Sequence, residues 1–287
     1  MKLVVDCGRS YVKVVAQNRE FRFPSWVSKN TGLHFYNHEK YNYSLELDGE
    51  KVLLGRFAEY EGSARRKPYY ESKAVPEFLW QVLCACYEAG IRNQEVEIAT
   101  LIPISSYKLD AEEVDKVKRL LQKTHYVTIN GEDLYIKITQ VHVTLEGASS
   151  FYVSDRYKEL IGLYMEMYDN HGEDYADENI IKQITRIVDA GAKTVNYASF
   201  AGLTYINSQS GTMQNGWETT RDVSPEVLGA NIASEVSKDW DKDDYVVVCG
   251  GRANDLVEPL GEFFHTVVAL PDSQFSNSRG LYERIKG

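Results

Sequence analysis

One short pattern occurs twice in this chain, and that repetition limits what the chain can fold into more than any other feature. Leu3–Ala16 reads LVVDCGRSYVKVVA, and Arg186–Ser199 reads RIVDAGAKTVNYAS. In each, an apolar run of the kind buried on both faces of a sheet ends in an aspartate. A glycine follows two residues later, and then a returning strand. Asp6 matches Asp189, Gly8 matches Gly191 and Val12 matches Val195. One Asp-x-Gly between strands is also an ordinary hairpin turn. Two copies imply two related lobes, each offering a turn to one phosphate chain.

The chemistry of the first turn suits a phosphate and its metal. Gly8 lets the backbone approach a ligand, Ser10 adds a hydroxyl and an N–H, and Lys13 puts a cation on the returning strand. Asp6 supplies a carboxylate at the strand end. A third glycine turn follows: Tyr245–Asn254, YVVVCGGRAN, reads as a buried strand entering Gly250-Gly251 and then a helix. Such a turn lets a base or ribose lie against bare backbone.

Composition narrows the class. The 287 residues allow one large or two medium domains, and the repeat favours two lobes. With 42 acidic against 32 basic residues the net charge is −10, which argues against direct coating of DNA or a membrane. Cys7, Cys84, Cys86 and Cys249 lie in apolar runs without metal-like pairing, as reduced thiols of a cytosolic protein do. No signal-peptide core opens the sequence, and no apolar run approaches the roughly 20 residues that span a bilayer. The expectation is a soluble cytoplasmic protein. Six scattered histidines form no triad, so a Ser/His/Asp hydrolase is not expected.

Along the chain, Glu20–Phe23 reads as a third strand ended by Pro24. Ser25–Ala74 changes character, with a strand pair around Ser44–Leu54 and a basic patch at Arg65, Arg66 and Lys67 that reads as a solvated loop. Its tyrosines, Tyr36, Tyr41, Tyr43, Tyr60, Tyr69 and Tyr70, suit an interface if exposed. Helices are expected over Pro76–Gly90, Asp110–Lys123, Ser224–Trp240 and Asn254–Phe264, with Ser224 as an N-cap. Strands are expected over Val96–Ile102, Tyr126–Ile129, Leu134–Val143 and Thr266–Leu270. Leu145–Ala148 opens a helix, on which Glu146 reads as an acid favoured by the helix dipole. Tyr164, Met165 and Met167 form an apolar helix face suited to packing, and His171–Asp177 reads as an exposed loop.

The ordered set DCGRSYVKV, DAGAKTV and VVCGGRAN, closed by DSQFSNSRGLYERI over Asp272–Ile285, resembles the actin-like ATPases. Within them it is similar to the plasmid-segregating ParM (StbA) branch. The interval Val195–Tyr245 has room for strands and one helix, so the chain looks closest to the shortened AlfA type, which lacks the sub-lobe IIB of domain II. The resemblance implies an α/β, two-domain actin-like fold: 1–147 as domain I with an inserted sub-lobe at about 25–75, and 148–287 as domain II. A C-terminal helix at about 276–287 is expected to pack back toward domain I.

The resemblance also implies function. ATP with Mg²⁺ would lie in the interdomain cleft, held by Asp6, Gly8, Arg9, Ser10 and Lys13, by Gly191, Ala192, Lys193 and Thr194, and by Gly250, Gly251 and Arg252. Asp6 and Asp189 would hold the metal or its waters. Glu146 falls where the family carries a Gln or Glu that orients the attacking water, so Glu146 and Asp189 are the catalytic candidates. The expected partners are further copies of the chain in a filament and a DNA-binding adaptor at a plasmid centromere, with no direct DNA or membrane binding. A small-molecule kinase of the same fold would share both aspartate turns but needs a further catalytic Asp deep in the cleft. A nucleotide-gated scaffold with little hydrolysis would share the whole pattern.

Overall fold

The computed structural model describes residues 1–29, 40–60, 72–217 and 224–286. The basic patch Arg65, Arg66 and Lys67, with Tyr36, Tyr69 and Tyr70, lies outside the described residues. The chain divides into two compact units, one built chiefly from Met1–Ile102 and Ser106–Thr144, the other from Pro103–Ser105 and Leu145–Ile285.

The first unit opens on strands β1 (Lys2–Cys7), β2 (Tyr11–Ala16), β3 (Arg19–Pro24) and β4 (Val27–Lys29). Then come β5 (Asn42–Leu47), β6 (Glu50–Gly55), helix α1 (Arg56–Tyr60), helix α2 (Pro76–Glu88) and β7 (Gln94–Ile102). A short helix α3 (Ile104–Leu109), α4 (Glu113–Leu121), β8 (Thr124–Ile129) and β9 (Glu132–Leu145) complete the series. The nine strands form one sheet in the order β3-β2-β1-β7-β9-β8-β5-β6-β4. Leu3, Val4 and Val5 are wholly buried in it, as a central strand with neighbours on both sides requires. Proline sits at the first turn of α2, where its missing N–H costs nothing, and the residues Phe78–Cys86 that follow are buried.

The second unit begins with a 3₁₀ turn (Ala148–Val153), then α5 (Asp155–His171), α6 (Glu173–Ile180), β10 (Ile184–Ala190), β11 (Val195–Ala201), β12 (Thr204–Tyr205) and β13 (Gly211–Met213). It continues with α7 (Pro225–Val236), β14 (Tyr245–Gly250), α8 (Val257–Gly261), β15 (Thr266–Ala269) and α9 (Ser276–Ile285). Its sheet runs β12-β11-β10-β14-β15, with β13 also on β11. The repeat read from sequence is a repeat of pairing. β2 is antiparallel to β1 and β7 parallel to it, while β11 is antiparallel to β10 and β14 parallel to it. In the first hairpin Asp6 faces Lys13; in the second Asp189 faces Asn196.

Several local expectations are corrected. The helix expected from Asp110 starts at Glu113, because Asp110 instead accepts from the Glu112 N–H at 2.9 Å and pairs with Lys116. Leu145–Ala148 opens a 3₁₀ turn, since Gly147 has φ +79°, and the α-helix waits for Ser154, whose hydroxyl accepts from the Tyr157 N–H at 3.1 Å. Of the apolar face expected on α5, Tyr164 packs half-buried against the core around Leu160, whereas Met165 is half exposed and does not. His171–Asp177 is helical on both sides of Gly172, whose φ of +88° breaks α5 from α6. Ser224 makes no cap bond, and its hydroxyl instead serves the Glu226 carboxylate, holding it below the usual range. The helix expected over Asn254–Phe264 begins as a 3₁₀ turn and ends at Gly261.

Candidate active site

In the first unit, the turn between β1 and β2 is folded on its own backbone. The Gly8 N–H donates to the Asp6 carbonyl at 3.0 Å, and a Cβ at Gly8 would stand 2.9 Å from the Tyr11 carbonyl, so glycine is demanded by close approach. Asp6 is buried, and the Lys13 Nζ donates to its Oδ2 at 2.8 Å, as the facing register allows. The turn is tied from outside by Ser25, whose hydroxyl donates to the Gly8 carbonyl at 2.6 Å and whose N–H donates to the Ser10 carbonyl at 3.0 Å. The buried Lys73 ammonium donates to the Cys7 carbonyl. Arg9 and Ser10 are half-buried on this turn. Ser25 and Lys73 carried no local signal, since both reach the turn from distant sequence.

The turn of the second unit shares the close approach of its glycine to the carbonyl three residues on, but is closed by a different hydrogen bond. The Gly191 N–H donates to the Thr194 carbonyl at 2.9 Å, and a Cβ at Gly191 would lie 3.0 Å from that oxygen. A strap following β13 closes on it: the Gly216 N–H donates to the Lys193 carbonyl at 2.6 Å and the Trp217 N–H to the Gly191 carbonyl at 3.1 Å. Gly191, Ala192, Lys193 and Thr194 are half-buried under this strap. A side chain at Gly216 would collide with the Lys193–Thr194 backbone, which is why the strap carries a glycine there.

Asp189 and Glu146 are held within this unit by two sets of hydrogen bonds that adjoin at the Glu146–Gly147 link of the chain. The Asn277 amide donates to Asp189 Oδ2 at 2.8 Å and accepts from the Gly147 N–H at 3.0 Å. The Asn196 amide donates to Glu146 Oε2 at 3.2 Å, and its oxygen accepts from the Thr212 hydroxyl at 2.7 Å. Thr212 in turn accepts from the Ser105 N–H at 3.1 Å. Glu146 thus carries a half-buried carboxylate held by a neutral amide, a geometry that can orient a water. Beside it, Cys249 is no nucleophile: burial, reinforced by the Asp189 charge, pushes its thiol well up, and the thiol donates to the Ser150 hydroxyl at 3.3 Å.

Asn196 was legible in principle, because it stands where Lys13 stands in the other copy. Asn277, Thr212 and Gly216 were not.

The third turn closes the set. Gly250 has φ +102°, and a Cβ there would collide with the Ala190 carbonyl, whereas Gly251 faces open space. The Ser273 hydroxyl donates to the Gly250 carbonyl at 2.6 Å. Arg252 is exposed, pairs with Asp255 at 2.6 Å and stacks 4.0 Å from the centre of the Trp217 ring. Among the described residues no group of three or more His, Cys, Asp or Glu side chains could by itself hold a metal. One or two carboxylates suit Mg²⁺, which keeps waters and substrate phosphates in the rest of its shell.

Comparison with known proteins agrees with this architecture. The family described as "Actin like proteins N terminal domain" matches residues 4–148. The fold is shared with AlfA from the B. subtilis plasmid pLS32, solved as a filament, at 20% identity and a TM-score of 0.75, covering 99% of this chain and 98% of that one. An AlfA filament bound to AMPPNP matches at 18% identity and 0.73, covering 100% and 96%. The apo pSK41 ParM protein matches at 18% identity and 0.68, covering 99% and 96%. No curated protein matches the chain by sequence.

Proposed function

The chain belongs to the actin-like proteins, and from that premise we propose that it is an ATPase of the ParM and AlfA kind, which polymerises on binding Mg-ATP and segregates plasmid DNA. The observation that carries the reading is the pair of matched aspartate turns, with Glu146 tied through Asn196 into the hairpin of the second. Mg²⁺, when bound, neutralises charge on the transferring phosphoryl group. Asp6 and Asp189 are the carboxylates for that ion or its waters.

Ser10, Lys13 and the glycine-turn amides hold phosphate oxygens, while Gly191–Thr194 do so from the second turn. Gly250, Gly251 and Arg252 take the nucleoside end. Glu146 orients the water and accepts its proton. The nucleotide reading is supported by the AlfA filament solved with AMPPNP, and self-assembly by the AlfA filaments. The net charge of −10 supports contact with DNA through a separate DNA-binding adaptor at the centromere rather than directly. A cytoplasmic site fits this role, and among the described residues no helix is long and apolar enough to cross a membrane.

Sedimentation with and without Mg-ATP tests the reading: polymer should pellet on nucleotide addition, with no acceptor molecule present. Asp189→Ala should abolish productive Mg-nucleotide use, whereas Glu146→Ala should slow phosphate release by about 10² or more and leave nucleotide affinity nearly alone. Glu146→Ala polymer should also outlive wild type. A chain that stays monomeric and releases ADP only with a sugar or acid acceptor is a kinase instead.

A further inference from the structure

We infer that Asn277 is a positioning residue for hydrolysis, whose amide holds the Asp189 carboxylate and the Gly147 peptide in one frame and thereby fixes Glu146. The inference rests on the proposed roles of Glu146 and Asp189. Asn277 lies in the first turn of α9, is 5% exposed, and uses both ends of its amide: Oδ1 accepts from the Gly147 N–H at 3.0 Å, and Nδ2 donates to Asp189 Oδ2 at 2.8 Å. Its two partners are of opposite kind, a donor and a carboxylate, so only one orientation of the amide satisfies both.

The carbonyl end of Gly147 is also held. Its carbonyl accepts from the Ser150 hydroxyl at 2.6 Å and from the Ser150 N–H at 3.2 Å. Glu146 is therefore followed by a residue held at both its N–H and its carbonyl, and the hold on the N–H, which belongs to the peptide joining it to Glu146, is supplied by α9. That helix lies against the Ala148–Val153 turn so closely that a Cβ at Gly280 would collide with the Ser149 carbonyl. Neither an alcohol nor a carboxylate could replace the amide. An alcohol spans too little, and a carboxylate would accept from Gly147 but oppose Asp189 with a like charge.

Partners that orient a reacting or ligating side chain are typically worth about 10–100-fold, and a misplacement of about 1 Å can cost about 10²-fold. Phosphate release by the full-length chain should therefore fall about 10–100-fold in kcat for both Asn277→Leu and Asn277→Asp. Affinity for a non-hydrolysable ATP analogue, measured without Mg²⁺, should stay within about threefold, because Asp189, the carboxylate the amide holds, is assigned to the metal and not to the phosphates. Arg284→Ala, which removes the guanidinium stacked 5.2 Å from the Tyr152 ring, loosens α9 without touching the amide. It should lower the melting midpoint and keep kcat.

Asn277→Asp keeps the size of the side chain and the acceptor for Gly147, so it reports even if Asn277→Leu fails to fold. Turnover near wild type in folded Asn277 variants, beside a slow Glu146→Ala, overturns the role of Asn277 alone. So does an equal loss of kcat in Arg284→Ala. Normal turnover in Glu146→Ala, or a wild type that releases no phosphate, overturns the underlying assignment and this inference with it.

Discussion

Gly147 is where conformation and crowding act on the same atom, and Gly147→Ala tests both at once. Its φ of +79° with ψ of −53° is a geometry that non-glycine residues hold only under strain, at about 1–3 kcal/mol. The added Cβ would also stand 3.2 Å from Asn196 Cβ and 3.5 Å from Asp189 Cβ, so a site strand must give by tenths of an ångström. Overpacking of this kind adds about 1–3 kcal/mol. Against these stands a gain of about 0.5 kcal/mol from the stiffer unfolded chain, which leaves a net loss of about 2–5 kcal/mol.

Gly172→Ala is the control. It has φ +88° with ψ 172° and nothing within 4 Å of a built Cβ, so it carries a backbone strain of its own kind without any crowding. Urea denaturation should show Gly147→Ala losing about 2–5 kcal/mol. Because the displaced Asn196 holds the Glu146 carboxylate, phosphate release should fall about tenfold or more in Gly147→Ala and stay normal in Gly172→Ala. A loss below about 1 kcal/mol with unchanged turnover in Gly147→Ala would refute the claim that Gly147 is wedged between the site strands.

Other consequences follow from buried polar groups. Arg186 is 4% exposed and donates to Asp244, Gln209 and the Asp239 carbonyl at 2.7, 2.6 and 2.7 Å. Arg186→Ala leaves the buried Asp244 charge with the Asp241 N–H but no cation and should cost about 3–5 kcal/mol by urea denaturation, whereas removing both charges in an Arg186→Met, Asp244→Ala variant should recover part of it. Cys7, Cys84, Cys86 and Cys249 are buried and should react with a thiol reagent only after denaturation. Burial raises the Cys84 and Cys249 thiols well above their usual range and pushes Cys86 up to about 12. Above about pH 8.5 the unfolded chain then binds fewer protons than the native one, so stability is full below that pH and falls as pH rises. Burial followed by the Glu88 charge raises Tyr43 too, which should steepen the fall above about pH 10. Cys86→Ala should flatten the first limb, and a stability curve flat to pH 11 would contradict this reading.

The sequence alone determined the two hairpins, the third glycine turn and their order, because each is local. An apolar run ending in Asp-x-Gly states strand, turn and return within a dozen residues, and Gly8 and Gly191 are required by contacts inside their own turns. That locality also fixed the family, since the repeat carries its own register, with Asp6 opposite Lys13 and Asp189 opposite Asn196. What periodicity misjudged were stretches whose conformation answers to distant chain. Leu145–Ala148 looked helical but turns at Gly147 under the hold of Asn277, 130 residues away. The apolar stripe of α5 looked like core, yet only Leu160 is buried, with Tyr157, Leu163 and Tyr164 packed on the core from its rim and Met165 left half exposed. Only the tertiary structure could choose Asn277, Thr212, Gly216 and Ser25. Their value lies in pairing one donor with one acceptor across the fold, and a hydrogen bond of about 3 Å leaves no mark on the sequence around either partner.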